Sequence, residues 1–140
     1  MSTSSNKHHV TQMWSELEQS QDLAVLDRYF DPDYVRHVGP GRQTLSEWKL
    51  TLGALYAAFP DLVTDVKIAV AEDDWVSYKW ISHGTHSATY FGVPPTGKAI
   101  HATGITLNRF ERGRIIEEHS SWNKVDVLHT LGILPISELA

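Results

Sequence analysis

The 140-residue chain carries 12 Lys and Arg against 17 Asp and Glu, a formal charge of −5, and no cysteine. A chain of this length buries roughly two-thirds of its unfolded surface, so one domain over residues 1–140 with a small-molecule pocket is feasible. Disulfide frameworks, thiolate zinc sites and cysteine nucleophiles are excluded. The absence of a strongly basic stretch argues against nucleic acid, and no apolar run approaches the roughly 20 residues of a membrane span. The polar start, MSTSSNKHH, lacks the apolar region of a signal peptide. A cytoplasmic protein with residues 1–8 disordered is the expectation.

In chain order, Val10, Met13, Trp14 and Leu17 mark one face of a first helix. Asp22 can cap a short second helix carrying Leu23, Leu26, Tyr29 and Phe30. Asp31-Pro32-Asp33 should break the chain, because a residue before proline avoids the helical region. Tyr34 to Val38 reads as a short extended segment ended by Gly39-Pro40-Gly41. Thr44-Leu-Ser-Glu47 has the form of a capping box. Leu45, Trp48, Leu52, Leu55 and Phe59 continue it at helical spacing until Pro60. The period then changes. Val63–Ala71, Trp75–His83, Ala99–Glu111 and Arg114–Trp122 are rich in β-branched and aromatic residues, as strands are. Asn123 can cap a last helix ending at Gly132. Helices first and an antiparallel sheet after them predict an α+β fold, a curved sheet wrapped against helices and open at one end.

The chemistry concentrates in the last hairpin. If Glu111 to Gly113 form a three-residue loop, Leu107 faces Glu117, Ile105 faces His119 and His101 faces Asn123. Ile105, Leu107 and Ile115 then make this face apolar and inward. Glu117 and His119 point into the cone, with His101 one strand over. Burial disfavours the charged forms of both side-chain types. It should raise Glu117 and lower a histidine toward neutrality, as a general acid–base pair requires. The competing reading is a rim pair in solvent, with Glu117 an ion-pair partner of Arg109. A two-residue loop would shift the pairing by one and put His101 on the other face.

Other features weigh less. Gly92-Val-Pro-Pro-Thr-Gly-Lys98 has P-loop spacing, but Ala99 stands where Ser or Thr is required, and the prolines lack the N–H groups that cradle phosphate. A connector near the pocket mouth or a dimer edge, binding no nucleotide, is expected. His83 and His86 lack a third ligand beside them, so no metal site is expected. His37 ends the extended Tyr34-Val-Arg stretch as an exposed loop residue or a pocket group. Tyr78 and Trp80 are pocket or core wall. Trp122 is placed on the far face of the sheet with Glu118, Ser120, Thr106 and Asn108, where helix packing or a homodimer contact would cover it.

Taken together, Ala58-Phe-Pro-Asp61, Gly84-Thr-His86, Phe91-Gly-Val-Pro-Pro-Thr-Gly-Lys98, Gly113-Arg-Ile-Ile-Glu117 and Leu131-Gly132 resemble, from about Val35 to Pro135, the SnoaL-like polyketide cyclase (ester cyclase) family of the nuclear transport factor 2-like superfamily. The resemblance implies an α+β cone with a deep apolar pocket, often dimeric, and chemistry without a cofactor. An acid near Glu117 and a histidine on the neighbouring strand would shift protons during an intramolecular aldol closure. His101 takes the histidine role, with His119 as competitor. Many members carry Trp at the position of His119 and Asp at that of Asn123.

The expectation is therefore a cofactor-independent enzyme acting on a polycyclic polyketide- or terpenoid-like substrate by aldol-type cyclisation, isomerisation or hydration. Glu117, His119, His101 and His37 form the catalytic set, and Tyr78, Trp80 and His86 contact substrate. The alternative is a non-catalytic module of the same fold that binds a hydrophobic small molecule.

Overall fold

The computed structural model describes residues 3–133. Helix α1 (Thr3–Ser20) buries Asn6, Val10, Met13 and Leu17 at helical spacing. It begins before the predicted apolar stripe, so residues 3–8, expected to be disordered, are helical. A 3-10 turn (Leu23–Val25) follows, capped by Asp22, whose carboxylate accepts the Ala24 N–H at 3.0 Å. The short helix α2 (Leu26–Tyr29) runs directly into strand β1 (Phe30–Val38).

Asp31-Pro32-Asp33 does not break the chain as predicted. It lies inside β1, where the register against the neighbouring strand is irregular between Phe30 and Val35. A proline is tolerated at such an interruption because no ladder hydrogen bond is lost there. Strand β2 (Gly41–Thr44) and helix α3 (Leu45–Ala58) follow. The capping box forms in full: Thr44 Oγ1 accepts the Glu47 N–H at 3.3 Å, and Glu47 accepts the Thr44 N–H at 2.9 Å.

Strands β3 (Val63–Glu72), β4 (Trp75–Thr85), β5 (Ala99–Glu111) and β6 (Arg114–Trp122) precede helix α4 (Lys124–Thr130). Asn123 takes the N-cap position but does not cap with its side chain. Its Oδ1 instead accepts the Thr103 N–H at 2.8 Å, tying the end of β6 back to β5.

The six strands order as β2-β1-β6-β5-β4-β3. All pairs are antiparallel except β1 and β6, which run parallel, so the expected antiparallel sheet is a mixed one. Helices α1 and α3 pack on one face of this sheet. The core there joins Val10, Met13 and Leu17 of α1 to Leu52 of α3 and to Tyr34, Val76, Ile100, Phe110 and Ile115 of the strands.

The β5–β6 hairpin departs from the predicted register. Glu111 pairs with Arg114, leaving a two-residue turn of Arg112 and Gly113 at φ +52° and +78°. A type I′ turn needs both central residues in that left-handed region. A bulge follows: Phe110 pairs with Ile115, but Arg109 pairs with Glu117, which leaves Ile116 unmatched. Side chains alternate with period two, so one extra residue reverses the facing of everything beyond it. Ile115 points into the core, yet Glu117 and His119 point out and Glu118, Ser120 and Trp122 point in.

Candidate active site

Between the helices and the inner face of the sheet lies a cavity of about 310 Å³. Its walls are mostly apolar: Trp48, Leu52 and Leu55 of α3, Phe59, Trp80 of β4, and Ile100 and Ala102 of β5. Tyr90 and Phe91, which lead into the 92–98 connector, also line it, as does Lys124, whose ammonium lies 5.2 Å from the Phe91 ring centroid. Among the described residues, Glu118 is the one carboxylate on its wall.

Glu118 is 5% exposed. Tyr34 donates its hydroxyl to one carboxylate oxygen at 2.6 Å. The other oxygen accepts from Arg36 Nε at 3.0 Å and Ser120 Oγ at 2.6 Å. Charge-assisted bonds of this kind are the strong ones, and three donors are what a buried carboxylate needs to offset its lost hydration. Burial first, then the Glu118 charge, pushes the Tyr34 hydroxyl far above the ordinary tyrosine range, so it remains a donor. Arg36 is itself fixed. It donates from a terminal nitrogen to Gln43 at 2.8 Å and stacks 3.9 Å from the Trp48 ring centroid. Gln43 donates onward to Thr51.

A second line of hydrogen bonds reaches Glu118 from β4 and β5. Trp80 Nε1 donates to Thr106 Oγ1 at 3.0 Å, and Thr106 and Ser120 hydroxyls meet at 2.8 Å. Because Ser120 donates to Glu118, Thr106 is the donor in that pair. Trp80 can lie flat here because its cross-strand partner is Gly104. A Cβ on Gly104 would stand 2.4 Å from the indole. Asn108, buried between Val76 and Glu118 in the strand register, has neither side-chain polar atom in a hydrogen bond.

The predicted site residues go elsewhere. Glu117, His119 and His37 do meet, but on the outer face of the sheet. Glu117 accepts from Arg109 Nε at 2.9 Å and contacts His119 Nε2 at 2.6 Å. Those two partners, His119 first, hold its carboxyl below the ordinary carboxylate range. The expected upward shift fails because Glu117 is not in the apolar cone. His101 is exposed on the same outer face, paired with His83 across β4–β5. Ile105, read as an inward residue, is 56% exposed there.

The contact residues divide. Trp80 lines the cavity. Tyr78 lies behind it in the core, 3% exposed, its hydroxyl accepting from Trp14 Nε1 at 3.1 Å. His86 is fully buried and serves the loop. Its Nδ1 accepts the Thr96 N–H at 3.2 Å, and its backbone bonds to Lys98 and Gly97 close the connector. Trp122, Ser120, Glu118 and Thr106, assigned to a dimer face, line the cavity. Tyr34, Arg36 and Glu118, which meet at the cavity wall, are candidate site residues that sequence reasoning missed. Their signal was the alternation of Tyr34 and Arg36 in β1, which supplies two donors to one face.

A curved α+β sheet folded over an apolar cavity, with a buried carboxylate held by three donors on its wall, is a fold of the nuclear transport factor 2-like type. The chain belongs to the SnoaL-like polyketide cyclase family, whose model matches residues 8–131. It is similar in structure to AclR of Streptomyces galilaeus, described as a hydroxylase, at TM-score 0.89 and 27% identity over 96% of this chain and 85% of that one. It is also similar to IdmH of Streptomyces antibioticus, described as a polyketide cyclase, at TM-score 0.79 and 28% identity over 91% of this chain and 98% of that one. A SnoaL-like polyketide cyclase from Jannaschia sp. CCS1 shares the fold at TM-score 0.84 with 20% identity, covering 95% of each chain. No curated protein sequence matches the chain. Among the described residues, no helix is long and apolar enough to cross a membrane.

Proposed function

We propose that the protein is a cofactor-independent acid–base enzyme that binds a polycyclic polyketide-like substrate in this cavity and closes a ring by an aldol-type step. The observation that carries the reading is Glu118: a carboxylate on the wall of an apolar cavity, held by Tyr34, Arg36 and Ser120. Burying a charged group is costly unless it is paired or functional, and this one is both paired and open to the cavity. Glu118 removes a proton from an activated carbon of the substrate. The carbanion attacks a carbonyl carbon of the same molecule, a C–C bond forms, and the carbonyl oxygen receives a proton. Arg36 and the Trp80–Thr106–Ser120 line steady the charge while the proton is away from Glu118. The family model and the description of IdmH as a polyketide cyclase support a polyketide as the substrate class. Glu118 replaces Glu117 as the proposed base because only Glu118 faces the cavity.

The second copy of a homodimer is assigned to the β3 end of the outer sheet face, beyond β6 and β1 in the strand order. Ile68, Val70 and Ile105 are each more than half exposed there, on β3 and β5. An exposed apolar patch of this kind marks an interaction surface.

The test is solvent-deuterium exchange into the activated carbon of a polycyclic aromatic β-ketoester, followed by mass spectrometry. Removing a general base costs about 10²–10⁴ in rate, so Glu118→Gln should lose that much exchange while still binding the ester. Exchange at the wild-type rate in Glu118→Gln overturns the assignment. Ester binding with no exchange in the wild type supports the non-catalytic module instead.

A further inference from the structure

On the outer face of the same two strands, a second group of side chains stands apart from the cavity. His37 and His119 are register partners on parallel β1 and β6, and their rings stack with centroids 4.6 Å apart and planes 10° from parallel. Glu117 is two residues before His119 on the same face, with 2.6 Å between its Oε2 and His119 Nε2. One ligand atom from each of the three lies within 4.8 Å of the other two.

We propose that His37, Glu117 and His119 bind a first-row divalent transition metal, with Zn²⁺ the best fit. Two imidazoles and one carboxylate are the donor set that zinc takes when a fourth position is left to water. Magnesium and calcium demand mostly oxygen ligands, which this group lacks. Zinc–ligand bonds of about 2.0–2.2 Å place tetrahedral ligand atoms about 3.3–3.6 Å apart. To reach that spacing from within 4.8 Å, the three side chains must rotate together, the stacked imidazoles turning so that their lone pairs converge. The strands that carry them lie inside the sheet, with β2 and β5 on either side. Arg109 holds the other Glu117 oxygen at 2.9 Å and so orients the carboxylate with Oε2 toward the histidines, as partners behind metal ligands do. Its positive charge opposes the ion, which argues for micromolar rather than nanomolar affinity. The exposed His119 leaves the fourth position to solvent. A bound ion would pin β1 to β6 at the sheet's one parallel pairing.

The proposal does not depend on the cavity reading, because Glu118 faces the opposite side of the sheet. The experiment is calorimetric titration of the full chain with Zn²⁺, and with Co²⁺ to read the visible bands of a low-coordinate site. One equivalent per chain is expected, together with a rise in thermal midpoint, since a ligand that binds only the native state stabilises it. His37→Ala and His119→Ala should each weaken binding by about 100-fold or more, beyond the usual cost of losing an outer partner. The His83→Ala/His101→Ala double variant, on the other exposed histidine pair, should bind as the wild type does. No saturable binding by the folded chain overturns the proposal. So does binding that survives the loss of both His37 and His119.

Discussion

Glu117 and Glu118 are neighbours in the chain with opposite surroundings, and so are the two faces of the β1–β6 pair on which they stand. Inside, Tyr34, Arg36 and Ser120 close around Glu118 in a cavity that excludes much of the solvent. Outside, Val35, His37 and His119 surround Glu117 at a half-open surface where Arg109 is its ion partner. The same carboxyl chemistry is costly to bury on one face and inexpensive to expose on the other. The inner face therefore carries polar contacts that are costly to lose, and the outer face carries solvent-screened ones.

The largest expected effect separates the two acids directly. Glu118→Gln loses about 10²–10⁴ in proton-exchange rate. Glu117→Gln, a surface change worth about 0.5 kcal/mol or less, keeps the rate within about threefold. Equal losses in the two variants would erase the distinction between the faces.

Next comes the partner of the buried acid. Arg36→Ala leaves Glu118 unpaired, and breaking a buried ion pair typically destabilises by about 3–5 kcal/mol. Urea denaturation reads this loss. Adding Glu118→Gln to Arg36→Ala should restore part of it, because the stranded charge is gone. The matching outer change, Arg109→Ala, should cost about 1 kcal/mol or less, as exposed pairs do.

Gly104→Ala tests how closely the inner face is packed. The added Cβ would sit 2.4 Å from the Trp80 ring and 2.7 Å from the Ser121 carbonyl oxygen. Overpacking of this kind costs about 1–3 kcal/mol. Trp80 must swing into the cavity, so the KM for the ester should rise with the fall in stability. An unchanged KM would mean that Trp80 does not border bound substrate.

The smallest effect is a pH dependence of the outer face. The Glu117 carboxyl lies below its ordinary range because His119 and Arg109 donate to it. A lowered folded-state value contributes stability that is present above the ordinary carboxylate value of about 4.3 and is lost as pH falls through the lower, folded one. Thermal midpoints measured downward from neutral pH should therefore fall less steeply in Glu117→Gln than in the wild type. Parallel curves would show that the outer contacts contribute nothing to the folded state.

Much of the fold was legible because it depends on local chemistry. Thr44 and Glu47 form their box from residues three apart. The α3 stripe, the change to strand period after Pro60 and the start of the last hairpin are read from neighbours in the chain. The family resemblance rested on short motifs of the same local kind. Which face of β6 enters the cavity is not local. Ile115 is inward, as read from its apolar side chain, but the bulge at Ile116 reverses the facing of Glu117 and Glu118. Nothing in Ile-Ile-Glu-Glu marks which residue will be the extra one. Pairing with β5 and β1 decides it, and β1 lies about 80 residues away in the chain. Tyr34 and Arg36 present donors on one side, and the acid that reaches them becomes the buried one. The bounds of α3 and the run of strands after it were thus set by the sequence, whereas α1 starts seven residues before its apolar stripe. The choice between two adjacent glutamates belonged to the assembled sheet, because a period of two turns one unmatched residue into a change of side.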